Sequence, residues 1–400
     1  MVPLNISDRR ERLLVRAADL VLAPAKLRRR ARPANAPGSI LGFRLERIGD
    51  LVMAMPALAE LRASAPSAAI DLVVGSWNVG IARAIPGIRS VEVLDPHWLA
   101  RGERGQTTPA MIAAARRWRP RHYDVAINFE PDIRSNAIAA SAGASWTAGF
   151  SSGGGGALLD LALRFDTSLH TSANLLALVR AVADGWSRSE EKVPESRLDL
   201  GEDAARSAAE RLAGLRSPIV AIHLNGGRMI KQWPIDRFAD VARWLVETRG
   251  ASLVFTGSES DRASIAVVRS RLGGVPALDG SGVSLAETAA ILTRCDLLVT
   301  GDTGPMHLAH AVGTPVVAVF GPSDPRRYGP RGPHDRVVRV DLPCAPCNRI
   351  RQPPERCQRA LDNQQPPDCL SGVSVAAVTA AIDEVIASRG SRGDRIPTVA

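Results

Sequence analysis

Asp296-Leu-Leu-Val-Thr-Gly-Asp302-Thr303-Gly304-Pro305-Met306-His307-Leu-Ala-His310-Ala-Val-Gly313-Thr-Pro315-Val-Val-Ala-Val-Phe320-Gly321-Pro322-Ser-Asp-Pro325 reads as strand, turn, helix, turn and strand. An apolar run enters Asp-Thr-Gly, and Pro305 fits the first turn of a helix, where its missing N–H costs nothing. Gly313 and Pro315 close that helix, and a second apolar run ends in Phe-Gly-Pro. Two short apolar runs joined through a helix predict a β-α-β unit and a parallel sheet. The free N–H groups at the helix start make an anion site, to which Thr303 adds a hydroxyl and His307 a ring in the first turn. The plainer alternative is a capping Asp302 with a core-facing His307.

The same alternation extends in both directions. Towards the N-terminus, 219–224 and 252–256 read as strands and 236–248, 261–272 and 285–294 as helices. Earlier still, 39–45, 70–74, 91–94 and 123–128 read as strands. Helices are expected over 51–65, with Pro56 kinking it or opening its second part, and over 109–118 and 172–184. Ser-Ser-Gly-Gly-Gly-Gly at 151–156 reads as a flexible loop, 187–196 as a polar linker, 373–388 as a last helix and the tail after Arg389 as disordered. Two alternating series in tandem predict an α/β protein with two Rossmann-like domains facing each other across a cleft, with ligands beyond the carboxyl ends of the strands. The expected division is a basic amphipathic leader (1–38), an N-terminal domain (39–190), a linker (191–216), a C-terminal domain (217–372) and a C-terminal helix and tail (373–400).

Composition supports this reading. Four hundred residues suit two domains, and 45% hydrophobic content with only 4% aromatics puts the cores on Ala, Val, Leu and Ile. No apolar run is long enough for a membrane span. The formal charge is +9, and residues 1–38 hold nine basic against three acidic side chains, so they carry most of the excess. The rest is nearly balanced, and no zinc-finger, RNP or helix-turn-helix signature accompanies the charge, which argues against a nucleic-acid partner. Asp8 and Glu11 suit a capping box for a helix over 9–22 with apolar Leu13, Leu14, Ala17, Leu20 and Val21. Arginines interrupt any signal-peptide core, so a cytoplasmic chain is expected. Two readings of the leader stay open: it sits with Arg28–Arg32 on an anionic inner-membrane surface, or it is a solvated, poorly ordered segment.

Two further junctions carry chemistry. In Arg44-Leu-Glu-Arg-Ile-Gly-Asp50-Leu-Val-Met-Ala-Met-Pro56, Asp50 falls where a strand passes into a helix whose N-terminus favours negative charge. Asp50 is a candidate base there, or simply a cap. In His223-Leu-Asn-Gly-Gly-Arg-Met-Ile-Lys231-Gln-Trp-Pro234, Gly226 and Gly227 let backbone N–H groups approach an anion, and Lys231 offers a compact charge to phosphate. The alternative is a surface lysine beside a tryptophan that plugs the helix start.

Together the three segments resemble glycosyltransferase family 9, the ADP-heptose:lipopolysaccharide heptosyltransferases. The resemblance runs from about residue 40 to about residue 385. Arg44–Leu58 matches Arg-Leu-x-x-x-Gly-Asp-x-x-x-x-x-Pro-Ala-Leu, Lys231–Pro234 matches Lys-x-Trp-Pro, and the third segment matches Asp-Thr-Gly-x-x-His…Gly-x-Pro…Phe-Gly-Pro-x-x-Pro. It implies the GT-B fold and inverting sugar transfer without a cofactor. It implies Asp50 as general base, Lys231 on the donor diphosphate, and Asp302, Thr303, Gly304 and His307 around the nucleotide sugar. Glu259 matches the nucleoside-binding acid, with Asp261 as its rival. The implied partners are a nucleotide-sugar donor, most closely ADP-heptose, and a lipopolysaccharide-core-like glycolipid acceptor. Two alternatives stay open: a nucleotide-sugar epimerase or hydrolase on the same fold, and a non-catalytic nucleotide-sugar-binding protein.

Four of the five cysteines cluster as Cys344-x2-Cys347-x9-Cys357-x11-Cys369, and Cys295 stands apart at a core-like position. No bound metal is expected. Reduced thiols fit a cytosolic chain, a four-thiolate zinc site is the alternative, and disulfides belong to an oxidising compartment.

Overall fold

The computed structural model describes residues 4–6, 8–99, 105–186, 197–275 and 277–390. The chain divides into two compact units, Met1–Asp199 and Leu200–Ala400. Each is built on one six-stranded sheet.

The first unit contains β1 (Ser39–Arg44), β2 (Ala69–Val74), β3 (Ile88–Val93), β4 (Val125–Asn128), β5 (Trp146–Phe150) and β6 (Leu161–Leu163). Their order is β3-β2-β1-β4-β5-β6, and every pairing is parallel. The second contains β7 (Ile219–His223), β8 (Ser252–Gly257), β9 (Ala277–Ser281), β10 (Leu297–Gly301), β11 (Val316–Val319) and β12 (Arg336–Val338). Their order is β12-β11-β10-β7-β8-β9, again parallel throughout. Counted from its own first strand, the second sheet repeats the order of the first. Both are doubly wound sheets whose direction of winding reverses beside the first strand, so a crevice opens between β1 and β4 and another between β7 and β10. The central strands are buried on both faces, as parallel strands covered by helices must be.

The helix after β1 is one continuous element, Ile48–Ser64, with Pro56 inside it. Pro56 offers no N–H to the turn before it, yet Val52, Met53, Met55, Ala57, Leu58 and Leu61 around it are buried and hold the helix together. Strands β5, β6, β9 and β12 went unread in the sequence because they are short or carry turn-like residues, as in Ala277-Leu-Asp-Gly-Ser281. Of the 191–216 stretch expected as a linker, 191–196 lie outside the described residues. Gly201–Arg211 is a helix of the second unit, and Ser207 Oγ donates to Glu287 at 2.9 Å. The tail 391–400 and the whole 187–196 stretch likewise lie outside the described residues.

The described residues of the leader pack against the rest of the first unit. The leader helix runs Arg9–Leu22, with Asp8 accepting from the Glu11 N–H at 2.7 Å. It sits on the glycine-rich stretch expected to be a flexible loop, where Ser152–Gly155 are buried. Gly154 has a φ of +90°, and a Cβ there would lie 2.3 Å from Val15 Cγ1, so both conformation and contact require glycine.

Candidate functional site

In the first unit the polar groups gather at the carboxyl ends of β1 and β4. Arg44, the last residue of β1, is 1% exposed. Its Nε donates to the Asp50 carbonyl at 3.0 Å and its Nη1 to the Phe129 carbonyl at 2.8 Å. The same guanidinium lies 2.7 Å from Glu46 Oε2 and 3.6 Å from Asp50 Oδ1. Asp50 sits in the first turn of the Ile48–Ser64 helix, and its Oδ2 accepts from the Arg47 N–H at 3.2 Å. It is therefore a cap whose second oxygen faces a buried cation. Partial exposure of the carboxylate, at 27%, leaves it able to meet a substrate.

Glu130, just past β4, closes the arrangement from the other strand. Its Oε1 accepts from the N–H groups of Leu45 and Glu46, the latter at 2.9 Å, and so fixes the turn that carries Asp50. Trp77 Nε1 and Asn78 Nδ2 both donate to the Glu46 carbonyl, at 2.8 and 2.7 Å. Arg47 reaches the Leu99 carbonyl at 2.6 Å and stacks near Trp77, while Arg134 lies 4.2 Å from the Trp98 ring. Arginines over aromatic rings beside a carboxylate make a surface suited to a polar, anionic ligand.

Burial pushes the Glu130 carboxyl well above the ordinary glutamate range, the charges of Glu46 and Asp132 push the same way, and Arg44 and the Leu45 N–H oppose them. A carboxyl raised in the folded state binds more protons folded than unfolded. Its ionisation therefore penalises the fold as pH rises past the unfolded value and towards the folded one. Glu130→Gln keeps an acceptor for Leu45 and Glu46 and removes the charge. Its Tm is expected to gain on that of the parent chain as pH is raised from 4.5 towards neutrality. Thermal unfolding across pH checks this, and a difference that does not change with pH would contradict it.

In the second unit the matching place is the end of β7 and β10. Lys231 lies in a short turn, Met229–Lys231, and Nζ is 2.7 Å from Asp302 Oδ2, an ion pair. Trp233 beside it is buried, with its Nε1 donating to the Val373 carbonyl at 3.1 Å and its ring edge-on to Phe238 at 4.9 Å. The tryptophan anchors the turn, and the lysine head stays partly accessible. Thr303 stands at the N-cap position of the Gly304–Ala311 helix, which has Pro305 in its first turn as expected. Thr303 Oγ1 is 3.1 Å from Thr300 Oγ1, and Asp302, Thr303 and His307 are all nearly buried. Lys231, Asp302, Thr303 and Gly304 thus come together at one strand–helix junction, with His307 in the same first turn.

Glu259 and Asp261 share the turn after β8. Asp261 accepts from Asn225 Nδ2 at 2.7 Å and from the Ser258 N–H at 2.6 Å. Burial raises its carboxyl, but the hydrogen bonds from Ser258 and Asn225 and the charge of His223 bring it below the usual aspartate value. Asp261 is committed to holding the loop. Glu259 is exposed and paired only at the surface with Arg262, at 3.1 Å. Cys295 is buried, and burial pushes its thiol up to about 12. Cys344, Cys347, Cys357 and Cys369 line one small cavity with Arg356, and burial pushes Cys369 up to about 11. Among the described residues, no three His, Cys, Asp or Glu side chains are arranged to hold a metal ion.

Sequence reading missed two residues of this picture. Arg44 stood only as the start of a motif, and Glu130 was not singled out. The signal that finds Glu130 is a carboxylate immediately past an apolar strand, in Val125-Ala-Ile-Asn-Phe-Glu130.

The profile of glycosyltransferase family 9 (heptosyltransferase) matches residues 111–357. The lipopolysaccharide core heptosyltransferase OpsX of Haemophilus influenzae is 22% identical over 312 residues, covering 76% of this chain and 85% of the relative. Lipopolysaccharide heptosyltransferase 1 of Pseudomonas aeruginosa is 25% identical over 360 residues, 87% of this chain and 98% of the relative. Among solved structures, a family 9 glycosyl transferase from Veillonella parvula superposes with a TM-score of 0.73 at 24% identity, over 88% of this chain and 98% of the other. The ADP-heptose lipopolysaccharide heptosyltransferase II of E. coli gives 0.68 at 18% identity, over 88% and 99%. The fold is theirs.

Proposed function

The chain belongs to glycosyltransferase family 9, the heptosyltransferases, and from that premise we propose that it transfers heptose from ADP-heptose to a hydroxyl of a lipopolysaccharide-core glycolipid, with inversion. The donor and acceptor are those that the relatives' names carry. The observation that supports the reading best is the Lys231–Asp302 ion pair beside the start of the Gly304–Ala311 helix. A nucleoside diphosphate needs fixed positive charge at its bridging phosphates, and this junction supplies an ammonium, the N–H groups of a helix start and the Thr303 hydroxyl.

In this reading the glycosidic C–O bond to the diphosphate breaks, and the electron pair leaves on phosphate, where Lys231 and the helix start stabilise it. The acceptor hydroxyl attacks the anomeric carbon on the opposite face. Asp50 takes the hydroxyl proton as the new C–O bond forms, acting as general base. Arg44 orients Asp50 from behind, and Glu130 holds the turn on which both depend. Glu259 contacts the nucleoside, and His307 lines the donor pocket.

Incubation with ADP-heptose, with and without a heptose-deficient core acceptor, tests the proposal. ADP is expected to appear only when acceptor is present, with one sugar added per ADP and inverted configuration at the anomeric carbon. ADP released equally without acceptor would make the chain a hydrolase. Donor binding with no turnover under either condition would make it a binding protein.

A further inference from the structure

We propose that the outward face of the Arg9–Leu22 helix, with the turn that follows it, docks on an anionic phospholipid surface and holds the first unit in the interfacial plane. Among the described residues, nine large apolar side chains are exposed, and five of them lie between positions 13 and 27. These are Leu13, Leu14, Leu20, Val21 and Leu27, with exposures from 57% for Leu13 to 92% for Leu27. The other four, Val93, Leu169, Met229 and Val267, are scattered along the chain and are each at most 51% exposed, so the cluster is a local feature of the leader. Scattered exposed leucines need no explanation, but a contiguous set rimmed by charge marks an interaction surface.

The helix is fixed so that this face must point away from the protein. Val15 is buried against Gly154, and Asp19 Oδ1 accepts from the Gly155 N–H at 2.7 Å. Before the helix, the Asn5 N–H donates to the Ser152 carbonyl at 2.8 Å and Asn5 Nδ2 to the Phe165 carbonyl at 3.0 Å. At about 100° per residue, Leu13, Ala17 and Leu20 with Leu14 and Val21 fall on the side opposite Val15 and Asp19. The helix cannot roll to bury them without breaking these anchors.

Charge selects the occupant. Arg9, Arg10, Arg16, Lys26 and Arg28 are exposed around the apolar stripe, and the acidic residues of the segment are Glu11 and the inward-turned Asp19. A second copy of this chain on the same face would bring arginines against arginines, which opposes a symmetric dimer. Anionic headgroups complement the arginines while the leucines enter the acyl boundary, the arrangement of an interfacial helix. No helix among the described residues is long and apolar enough to cross a membrane, so the helix lies along the surface.

The structure also narrows the set of basic residues that the sequence offered. Arg29 Nε donates to the Leu159 carbonyl at 3.1 Å, Arg30 pairs with Asp160 at 2.9 Å, and Arg32 pairs with Asp184 at 2.5 Å. Those three tie the leader to the body. Lipid contact falls to the residues at 9–28.

Co-sedimentation of the full chain with phosphatidylglycerol-containing vesicles and with pure phosphatidylcholine vesicles tests this. Each basic residue near an anionic surface strengthens binding about fivefold, so the anionic vesicles are expected to bind at least ~10-fold more tightly and to lose the chain as salt rises. Leu13→Ser with Leu14→Ser, Leu20→Ser and Val21→Ser is expected to cost at least ~10-fold in vesicle binding, because it removes the inserted face. Arg9→Gln with Arg10→Gln and Arg16→Gln is expected to cut the preference for anionic lipid by at least ~10-fold, leaving what Lys26 and Arg28 supply. All these side chains are exposed, so Tm should hold, and the salt titration needs no variant. Equal binding by the serine variant, or no binding by the parent chain, overturns the proposal. So does a concentration-dependent dimer that the serine changes dissolve, since a second copy would then occupy the face.

Discussion

Asp50→Asn is expected to lower kcat for sugar transfer by about 10²–10⁴-fold, the usual contribution of a positioned base, while donor affinity stays nearly unchanged. The structure makes asparagine the informative replacement. Asp50 has two duties: one oxygen caps the helix by accepting from the Arg47 N–H, and the other faces the Arg44 guanidinium at 3.6 Å. Asparagine retains an acceptor for the cap and loses the ability to take a proton. Asp50→Ala loses both, and a lost cap costs about 1 kcal/mol of stability on its own. If the asparagine variant loses transfer at unchanged Tm, the loss belongs to chemistry. If it transfers at the parent rate, Asp50 is a cap and nothing more. Donor binding, read by thermal shift with ADP, keeps the two units' contributions apart, because a ligand that binds only the folded form raises Tm whatever happens to turnover.

Arg44 explains why this carboxylate is well placed for such a role. Its guanidinium is buried, donates to the Asp50 and Phe129 carbonyls, and pairs with the Glu46 carboxylate at 2.7 Å and, at longer range, with that of Asp50. Such a fork fixes the direction of the carboxylate without neutralising it, since the 3.6 Å separation is longer than a tight hydrogen bond. Glu130 then fixes the turn from β4.

How far the sequence revealed this site depends on the distance over which each signal acts. Asp50, Lys231, Asp302, Thr303 and Gly304 were legible because each stands at a strand–helix junction marked by glycine or proline within a few residues. Local punctuation of that kind survives in a single sequence. The Arg44–Glu130 arrangement was not legible, because Leu45 and Glu130 meet only through the pairing of β1 with β4, where Phe43 lies opposite Asn128. No short spacing encodes a neighbour 85 positions away. The two sheets were legible at their centres, where β1, β7 and β10 are continuous apolar runs, and illegible at their margins. In β9, Asp279 and Gly280 look like a turn until the sheet pairs them with Phe255 and Thr256. The leader shows the reverse: its amphipathic pattern gave the helix limits, but only the anchors at Val15 and Asp19 decide which face stays outside.

Lys231→Ala is expected to cost about 10²–10³-fold in kcat/KM, with both donor KM and kcat affected, because the ammonium meets a charge that grows as the diphosphate departs. Lysine stands out here: the chain places arginine at 47 of its 50 basic positions, and position 231 is one of three lysines. A compact ammonium beside Asp302 can exchange that carboxylate for a phosphate oxygen without turning a planar fork. The single variant has a complication, since removing the lysine leaves Asp302, 8% exposed, without its cation. An orphaned, nearly buried carboxylate lowers stability by itself. Lys231→Ala with Asp302→Asn removes both charges and should recover Tm while transfer stays low. Lys231→Arg keeps the charge in the wrong shape and should fall between the parent chain and the alanine variant. If the double variant instead restores kcat/KM, the lysine serves only to neutralise Asp302, and the diphosphate must find its positive charge elsewhere in the second unit.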